Sequence, residues 1–92
     1  MKTIKIFSKK FSEINNIQKE NIVEYFISEK IENNKKIYGI CVSELENRKN
    51  SEENSIFISS DYYKVYDILK FLYENSVGAL GFKDIINELH VF

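Results

Sequence analysis

The side chains that catalysis most often uses are sparse in this 92-residue sequence. His90 is the only histidine and Cys41 the only cysteine, so a nucleophile and base pair would have to join His90 to Cys41 or to the Ser59–Ser60 pair. Nothing in their spacing supports such a pair. His90 ends a predicted helix, where a basic side chain interacts with the last carbonyls. Cys41 lies in a predicted apolar strand, which is typical of a buried free cysteine.

Carboxylates occur as two close pairs, Glu44 with Glu46 and Glu52 with Glu53. A metal or acid–base site would need further ligands and a pocket around them. The three glycines are scattered, so no phosphate-binding glycine loop is present in the sequence. We therefore predict no catalytic residues, no metal site, no cofactor and no small-molecule substrate, and we expect a protein that is not an enzyme.

Charge is balanced over the whole chain but uneven along it. Thirteen basic residues face fourteen acidic ones, for a formal net charge of −1. Residues 1–21 form a basic N-terminal strand and turn segment. Its lysines, among them Lys5, Lys9 and Lys10, are candidate contacts for an anionic partner, so nucleic-acid binding is an alternative function. A solvated amphipathic strand explains the same pattern more simply.

Length and composition predict one domain over residues 1–92. The sequence contains no apolar run long enough to span a membrane, and the first residues lack the features of a signal peptide. A single cysteine also fits a reducing compartment. We expect a cytoplasmic protein with no membrane association.

The strongest pattern is a β-hairpin over Ile22–Leu45, folded about Asn33-Asn34. Asparagine tolerates the positive φ angles that a two-residue type I′ turn requires. With that turn, facing residues have numbers that sum to 67, so Tyr25 faces Val42. A four-residue loop would shift the register by two but would leave the same side chains on each face.

The two faces of this hairpin differ in character. Side chains of one face are almost all apolar and predict the core: Val23, Tyr25, Ile27, Ile31, Tyr38, Ile40 and Val42. The other face mixes Ile22, Phe26, Ile37, Cys41 and Leu45 with polar residues. It is too apolar for a freely solvated surface. Either Phe11, Ile14 or Ile17 of the N-terminal segment covers it, which we favour, or a partner does.

The remaining segments complete the predicted fold. Thr3 to Phe7 reads as a short strand, the spacing of Phe11, Ile14 and Ile17 indicates a helical turn, and residues 46–55 form a polar, mobile loop before a strand at Ile56–Ile58. Helices are predicted from Asp61 to Ser76, after a serine N-cap, and from Gly81 to His90, with Gly78 as a left-handed stop between them. The class is α+β: an antiparallel sheet of three or four strands with two C-terminal helices packed on one face.

These patterns favour a protein that works by contact with another protein. Tyr63 and Phe71 fall on or near the outer side of the first predicted helix, and aromatic residues are enriched at interfaces. With the second hairpin face they give a candidate partner surface of Phe26, Ile37, Cys41, Tyr63 and Phe71. The partner would be another protein, with a homodimer as one version. The role would be that of a small regulator, such as an inhibitor or adaptor of a larger bacterial machinery.

The chain also resembles a family of small proteins of unknown function from spore-forming, low-G+C anaerobic bacteria, over roughly Glu24 to Leu89. The residues that carry the resemblance are Tyr38-Gly39-Ile40, Ile58-Ser59, Leu72, Asn75, Val77, Leu80 and Asp84-Ile85-Ile86. Ala79 stands where the resemblance implies proline, which implies a looser turn between the helices. The resemblance implies a bacterial cytosolic protein in a regulatory setting and brings no catalytic residues.

Overall fold

Four antiparallel strands and two helices make up the computed structural model, which describes residues 2–11, 21–46 and 49–88. The elements are β1 (Lys2–Phe11), β2 (Asn21–Glu32), β3 (Lys35–Glu46), β4 (Lys49–Ser59), α1 (Tyr62–Glu74) and α2 (Phe82–Glu88). The strands lie side by side in chain order, and both helices pack on one face of the sheet. The predicted α+β class is confirmed. Neither helix in these ranges has the length and apolar character needed to cross a membrane.

The β2–β3 turn has the conformation that its two asparagines predict. Asn33 has φ 52° and Asn34 has φ 64°, and two successive residues with positive φ make a type I′ turn. Glu32 pairs with Lys35, and the pairing continues without a shift to the other end of both strands. The structure therefore has the register of the two-residue turn, one of the two registers that the sequence left open.

The helices cover the hairpin face that carries Tyr25 and Ile40, which we call the helical face. The buried core on this face comprises Val23, Tyr25, Ile27, Ile40 and Val42 from the sheet, Val65, Ile68, Leu69 and Leu72 from α1, and Ala79, Phe82 and Ile86 from the turn and α2. The α1 residues recur at three- and four-residue steps, so one stripe of the helix meets the sheet. Burial of each large aliphatic side chain contributes roughly 2 kcal/mol.

Ile31 is the exception on this face, and its assignment to the core was wrong. Its side chain is 73% exposed, although it has the same strand parity as Tyr25. The first residue of α1, Tyr62, packs its ring against Tyr38 at 5.3 Å between centroids. Tyr38 lies level with Glu29, so the hairpin continues past the start of the helix. Ile31 lies on that uncovered extension.

Both outer strands are longer than their apolar residues indicated. β1 runs to Phe11, with a register shift between Lys5 and Phe7, so the helical turn predicted to begin at Phe11 is wrong there. Ile14 and Ile17 lie outside the described residues. The loop predicted over residues 46–55 is also wrong from Lys49 onward, because backbone pairing with β3 extends β4 through this polar stretch. Strand hydrogen bonds join main-chain groups, which polar residues supply as well as apolar ones.

The ends of α1 also differ from their predicted form. Asp61, rather than a serine, is the N-cap, and its carboxylate accepts hydrogen bonds from the backbone N–H groups of Tyr63 and Lys64. Ser59 lies two residues before Asp61, and its Oγ accepts a hydrogen bond from the backbone N–H of Asp61 at 3.0 Å. At the other end Ser76, with φ 54°, takes the left-handed conformation that we had assigned to Gly78.

Gly78 serves a different purpose, which is to make room for Glu44. A Cβ atom at this position would collide with the Glu44 carboxylate. The same carboxylate accepts the backbone N–H of Ala79 at 2.7 Å. Because alanine retains the N–H that proline lacks, the inter-helix turn is tied to β3 rather than loosened.

Further polar contacts from the sheet fix the turn between α1 and α2. The Tyr25 hydroxyl donates to the carbonyl of Val77 at 2.8 Å, and the Asn54 side-chain amide donates to the carbonyl of Ala79 at 2.9 Å. Burial, followed by the nearby Glu44 carboxylate, raises the pKa of Tyr25 to about 12. The hydroxyl therefore remains a donor throughout the neutral range.

The first prediction concerns the hairpin turn. Replacing Asn34 with alanine should lower the free energy of unfolding by about 1 kcal/mol, because alanine resists positive φ. Replacing it with glycine should cause no loss, since glycine adopts this conformation freely. Urea denaturation of the two variants beside the wild type measures the difference. Equal stability of the alanine and glycine variants would contradict the type I′ turn.

The second prediction concerns the inter-helix turn. Ala79→Pro removes the N–H that Glu44 accepts, and we expect a loss of about 2 kcal/mol, because a hydrogen bond to a half-buried charged group is lost. Glu44→Gln keeps an acceptor at the same place and should cost less. Thermal unfolding followed by circular dichroism ranks the two variants. A proline variant as stable as the wild type would show that this hydrogen bond does not hold the turn.

Candidate functional site

The sheet face opposite the helices, which we call the non-helical face, carries three of the predicted partner-surface residues. Phe26 and Cys41 lie opposite each other on β2 and β3, and Ile37 lies nearer the hairpin turn. Phe26 and Ile37 are half-buried and Cys41 is buried. We expected Phe11 to help cover this face. It packs against the core of the helical face instead, because β1 pairs with β2 as a sheet strand.

Cys41 is held as a neutral thiol by its neighbours. Its Sγ donates to Glu53 Oε1 across the β3–β4 pair at 3.4 Å. Burial, and then the hydrogen bond and negative charge of Glu53, raise the pKa of the Cys41 thiol to about 11. A nucleophilic cysteine needs the opposite surroundings, because the thiolate is the reactive form. The arrangement therefore favours a structural thiol.

Next to Cys41, an aromatic ring fills the space that a glycine leaves. Gly39 pairs with Phe57 on β4, and a Cβ atom on Gly39 would lie 2.9 Å from the Phe57 ring. The Lys30 ammonium lies 4.1 Å from the centre of the same ring. This distance is that of a cation–π contact. Lys30 and Phe57 thus shield part of the non-helical face themselves.

The three lysines proposed as anion contacts do not form one positive patch. Lys5 and Lys10 pair with residues of the non-helical face of β2, and Lys9 lies on the helical face. Lys5 forms an ion pair with Glu24 at 3.0 Å. The Lys9 ammonium donates to the carbonyl of Tyr73 and to Ser76 Oγ at the end of α1, where a cation is favoured by the helix dipole. Lys9 therefore has a structural role.

The other two predicted partner-surface residues, Tyr63 and Phe71, lie on α1, across the sheet from Phe26 and Cys41. Two helical turns separate them from each other. The five residues predicted as one surface therefore belong to separate regions. Tyr63 is the most exposed of them at 78%.

Tyr63 belongs to a different apolar cluster, at the hairpin end of the helical face. Among the described residues, six large hydrophobic side chains are exposed, and four of them lie at this end: Ile4 at 48%, Ile31 at 73%, Tyr62 at 37% and Tyr63 at 78%. We call these four residues the hairpin-end patch. Three of them, Ile4, Ile31 and Tyr62, were not predicted as surface residues, and strand parity assigned Ile31 to the core.

Shared neighbours connect the members of the hairpin-end patch. The Tyr62 ring contacts the Tyr63 ring at 5.7 Å between centroids. Tyr62 and Ile4 line a cavity of about 50 Å³ together with Ile6, Ile27 and Tyr38, and Lys2 and Glu29 stand at the same cavity. Lys2 and Glu29 also flank Ile31 in a second, more open depression. Lys2 and Glu29 thus link Ile31 to the part of the patch that contains Ile4, Tyr62 and Tyr63.

Charges of both signs surround this patch. Glu29 lies between Lys2 on β1 and Lys36 on β3, and its carboxylate is 3.6 Å from the Lys36 ammonium. On the helix side, Asp61 and Lys64 precede and follow the two tyrosines. No single sign dominates, so the surroundings do not select a strongly charged ligand.

Other sequence candidates for chemistry find no site among the described residues. No group of three or more histidine, cysteine or acidic side chains within ranges 2–11, 21–46 and 49–88 could hold a metal ion. His90 lies outside these ranges. The Ser59 hydroxyl accepts a hydrogen bond from the backbone N–H of Asp61, the N-cap of α1. The Glu44 carboxylate accepts one from the backbone N–H of Ala79 in the inter-helix turn.

The third prediction tests the thiol. With a native pKa near 11 rather than 9, Cys41 should have about 100-fold less thiolate at pH 8 than in the unfolded chain. Because the unfolded chain releases this proton first, the thiol's contribution to stability should fall between pH 9 and pH 11. Iodoacetamide alkylation against pH, with and without urea, gives both midpoints. Glu53→Gln should lower the native midpoint, and a native midpoint at or below 9 would contradict the assignment.

Comparisons with known proteins place this chain in a family without giving it a chemistry. No curated protein and no solved structure matches the sequence. One family model, described as a family of unknown function (DUF6514), matches residues 3–90. That match spans nearly the whole sequence, including all six secondary-structure elements apart from Lys2. The chain is therefore a member of this family of unknown function.

Proposed function

We propose that this protein acts by binding another protein through the hairpin-end patch and catalyses no reaction of its own. The observation that carries the proposal is the concentration of exposed apolar side chains at one end: four of six among the described residues. Scattered single hydrophobic residues are normal on protein surfaces, whereas a contiguous cluster is typical of an interaction site.

The residue types of the patch suit a protein contact. Tyr62 and Tyr63 present broad rings with few rotatable bonds, so little side-chain entropy is lost on binding. Tyrosine is among the residues whose truncation costs most affinity in measured interfaces. The cavity beside Tyr62 and Ile4 gives an incoming aliphatic side chain a place to enter. An apolar centre with a charged rim is the usual anatomy of an interface.

The surroundings of Cys41 and of the lysines support binding to protein over the alternatives. A thiol with its pKa raised to about 11 is a poor nucleophile at neutral pH. Lys5 already forms an ion pair with Glu24, and Lys9 already donates hydrogen bonds to the end of α1, so both are less available to phosphates. The proposal includes a regulatory role as an inhibitor or adaptor, in the bacterial cytoplasm that the family resemblance implies.

The fourth prediction is that the hairpin-end patch is occupied in living cells. A photo-reactive phenylalanine analogue placed at Tyr63 should form covalent adducts with a partner upon illumination. The same analogue at Leu80 is the matched control, because Leu80 is 76% exposed and lies in the inter-helix turn, away from the patch. Gel mobility and mass spectrometry of the purified protein then report the mass of each adduct.

The comparison between the two positions decides the outcome. Adducts at Tyr63 that are absent at Leu80 support the proposal. Absence of adducts at Tyr63, or equal adducts at both positions, would overturn it. Far-ultraviolet circular dichroism of both labelled proteins verifies that each retains the fold.

A further inference from the structure

We infer that the occupant of the hairpin-end patch is a second copy of this chain, related to the first by a two-fold axis. The inference rests on the proposed function and specifies its partner. In such an isologous contact the same surface serves both sides, so it must be complementary to itself. The shape of the patch meets this requirement, and its area and the small net charge of the chain permit such a contact.

The patch carries both a protrusion and a depression. Ile31 stands on the uncovered end of the hairpin with 73% of its side chain exposed. Beside it, the cavity of about 50 Å³ lies between Ile4 and Tyr62 and is lined mainly by apolar side chains. A two-fold axis between the two features would place Ile31 of each copy in the cavity of the other. Neither copy would then leave its protruding residue in water.

The charges around the patch favour no strongly charged partner. Lys2, Lys36 and Lys64 occur there with Glu29 and Asp61. Glu29 is already paired with Lys36, and Asp61 already caps α1. A strongly acidic or basic partner would therefore meet like charges at some of these positions, whereas a second copy brings both signs. The net charge of −1 on the whole chain adds little long-range repulsion between copies.

The exposed area is of the size that a weak dimer needs. At these exposures the four residues present on the order of 500 Å² per copy, or roughly 1,000 Å² for two copies. That total is near the lower limit for a specific interface. Two tyrosines and two isoleucines also give the centre of the contact the apolar character of homodimer interfaces. We therefore expect a dimer that dissociates on dilution.

The fifth prediction compares Ile31→Lys with Leu80→Lys, two substitutions at similarly exposed isoleucine and leucine side chains. Analytical ultracentrifugation of the full chain should show a concentration-dependent dimer for the wild type and for L80K. I31K should raise the dimer dissociation constant by at least about tenfold, because the change enters the contact twice. Thermal unfolding of both variants verifies that the fold is intact.

An isotope-filtered NMR experiment tests the arrangement itself. In an equal mixture of labelled and unlabelled wild-type chains, we expect intermolecular contacts between Ile31 methyl groups and the Tyr62 ring. A wild type that remains monomeric up to about 1 mM would overturn the inference. A dimer that I31K does not weaken, or that lacks these contacts, would also overturn it.

The mass of the photo-adduct at Tyr63 separates this inference from the proposed function. An adduct of twice the 10.9 kDa chain mass supports both. An adduct with a different protein, together with a monomeric wild type, leaves the proposed function standing and refutes the second copy as the occupant. No adduct and no dimer would refute both.

Discussion

The two left-handed residues of the β2–β3 turn determine which side chains meet the helices. Asn33 and Asn34 both have positive φ, which allows a two-residue connection whose twist matches that of the flanking strands. One additional residue in the turn would move the side chains of one strand to the opposite face of the sheet relative to the other strand. Tyr25 and Val42 would then no longer share a face. The core, the non-helical face and the hairpin-end patch all depend on this one local conformation.

A second constraint links the helices to that sheet. The inter-helix turn brings backbone groups near buried strands, where unpaired N–H and carbonyl groups would cost free energy. Tyr25, Glu44 and Asn54 satisfy them from three different strands. Lys9, from the remaining strand, donates to the carbonyl of Tyr73 and to Ser76 Oγ at the end of α1. Each strand therefore contributes one polar side chain to the end of α1 or to the turn, and this fixes the position of both helices on the sheet.

Local sequence patterns predicted the structure correctly where it depends on residues close together in the chain. The hairpin about Asn33-Asn34, its apolar face around Tyr25 and the apolar stripe of α1 follow from spacing over a few residues, and the structure confirms them. The strand at 49–55 could not be predicted in this way, because its polar residues are strand residues only through pairing with β3. Glu44 is similar: its role depends on Gly78 and Ala79, more than thirty residues later in the chain. No nearby residue indicates such a contact.

The hairpin-end patch is exposed because the hairpin is longer than the helix that covers it. Twelve residues of β2 extend about 40 Å, because a strand rises about 3.3 Å per residue. Thirteen residues of α1 extend only about 20 Å, because a helix rises 1.5 Å per residue. A single helix of this length cannot cover a hairpin of that length. Since α2 packs at the opposite end, with Phe82 and Ile86 in the core, the strand ends near the turn remain uncovered.

Because of this difference in length, apolar residues of the hairpin beyond the start of α1 are exposed, whereas those beneath the helix are buried. Ile27 and Ile31 have the same parity and the same residue type, yet Ile27 is 4% exposed and Ile31 is 73% exposed. Periodicity alone describes the two identically. A strand that ended in water would be expected to carry polar residues at position 31, as it does at the neighbouring Glu29 and Lys36. The apolar side chain at this position has no role in the core of one chain, and the proposed contact between two copies would give it one.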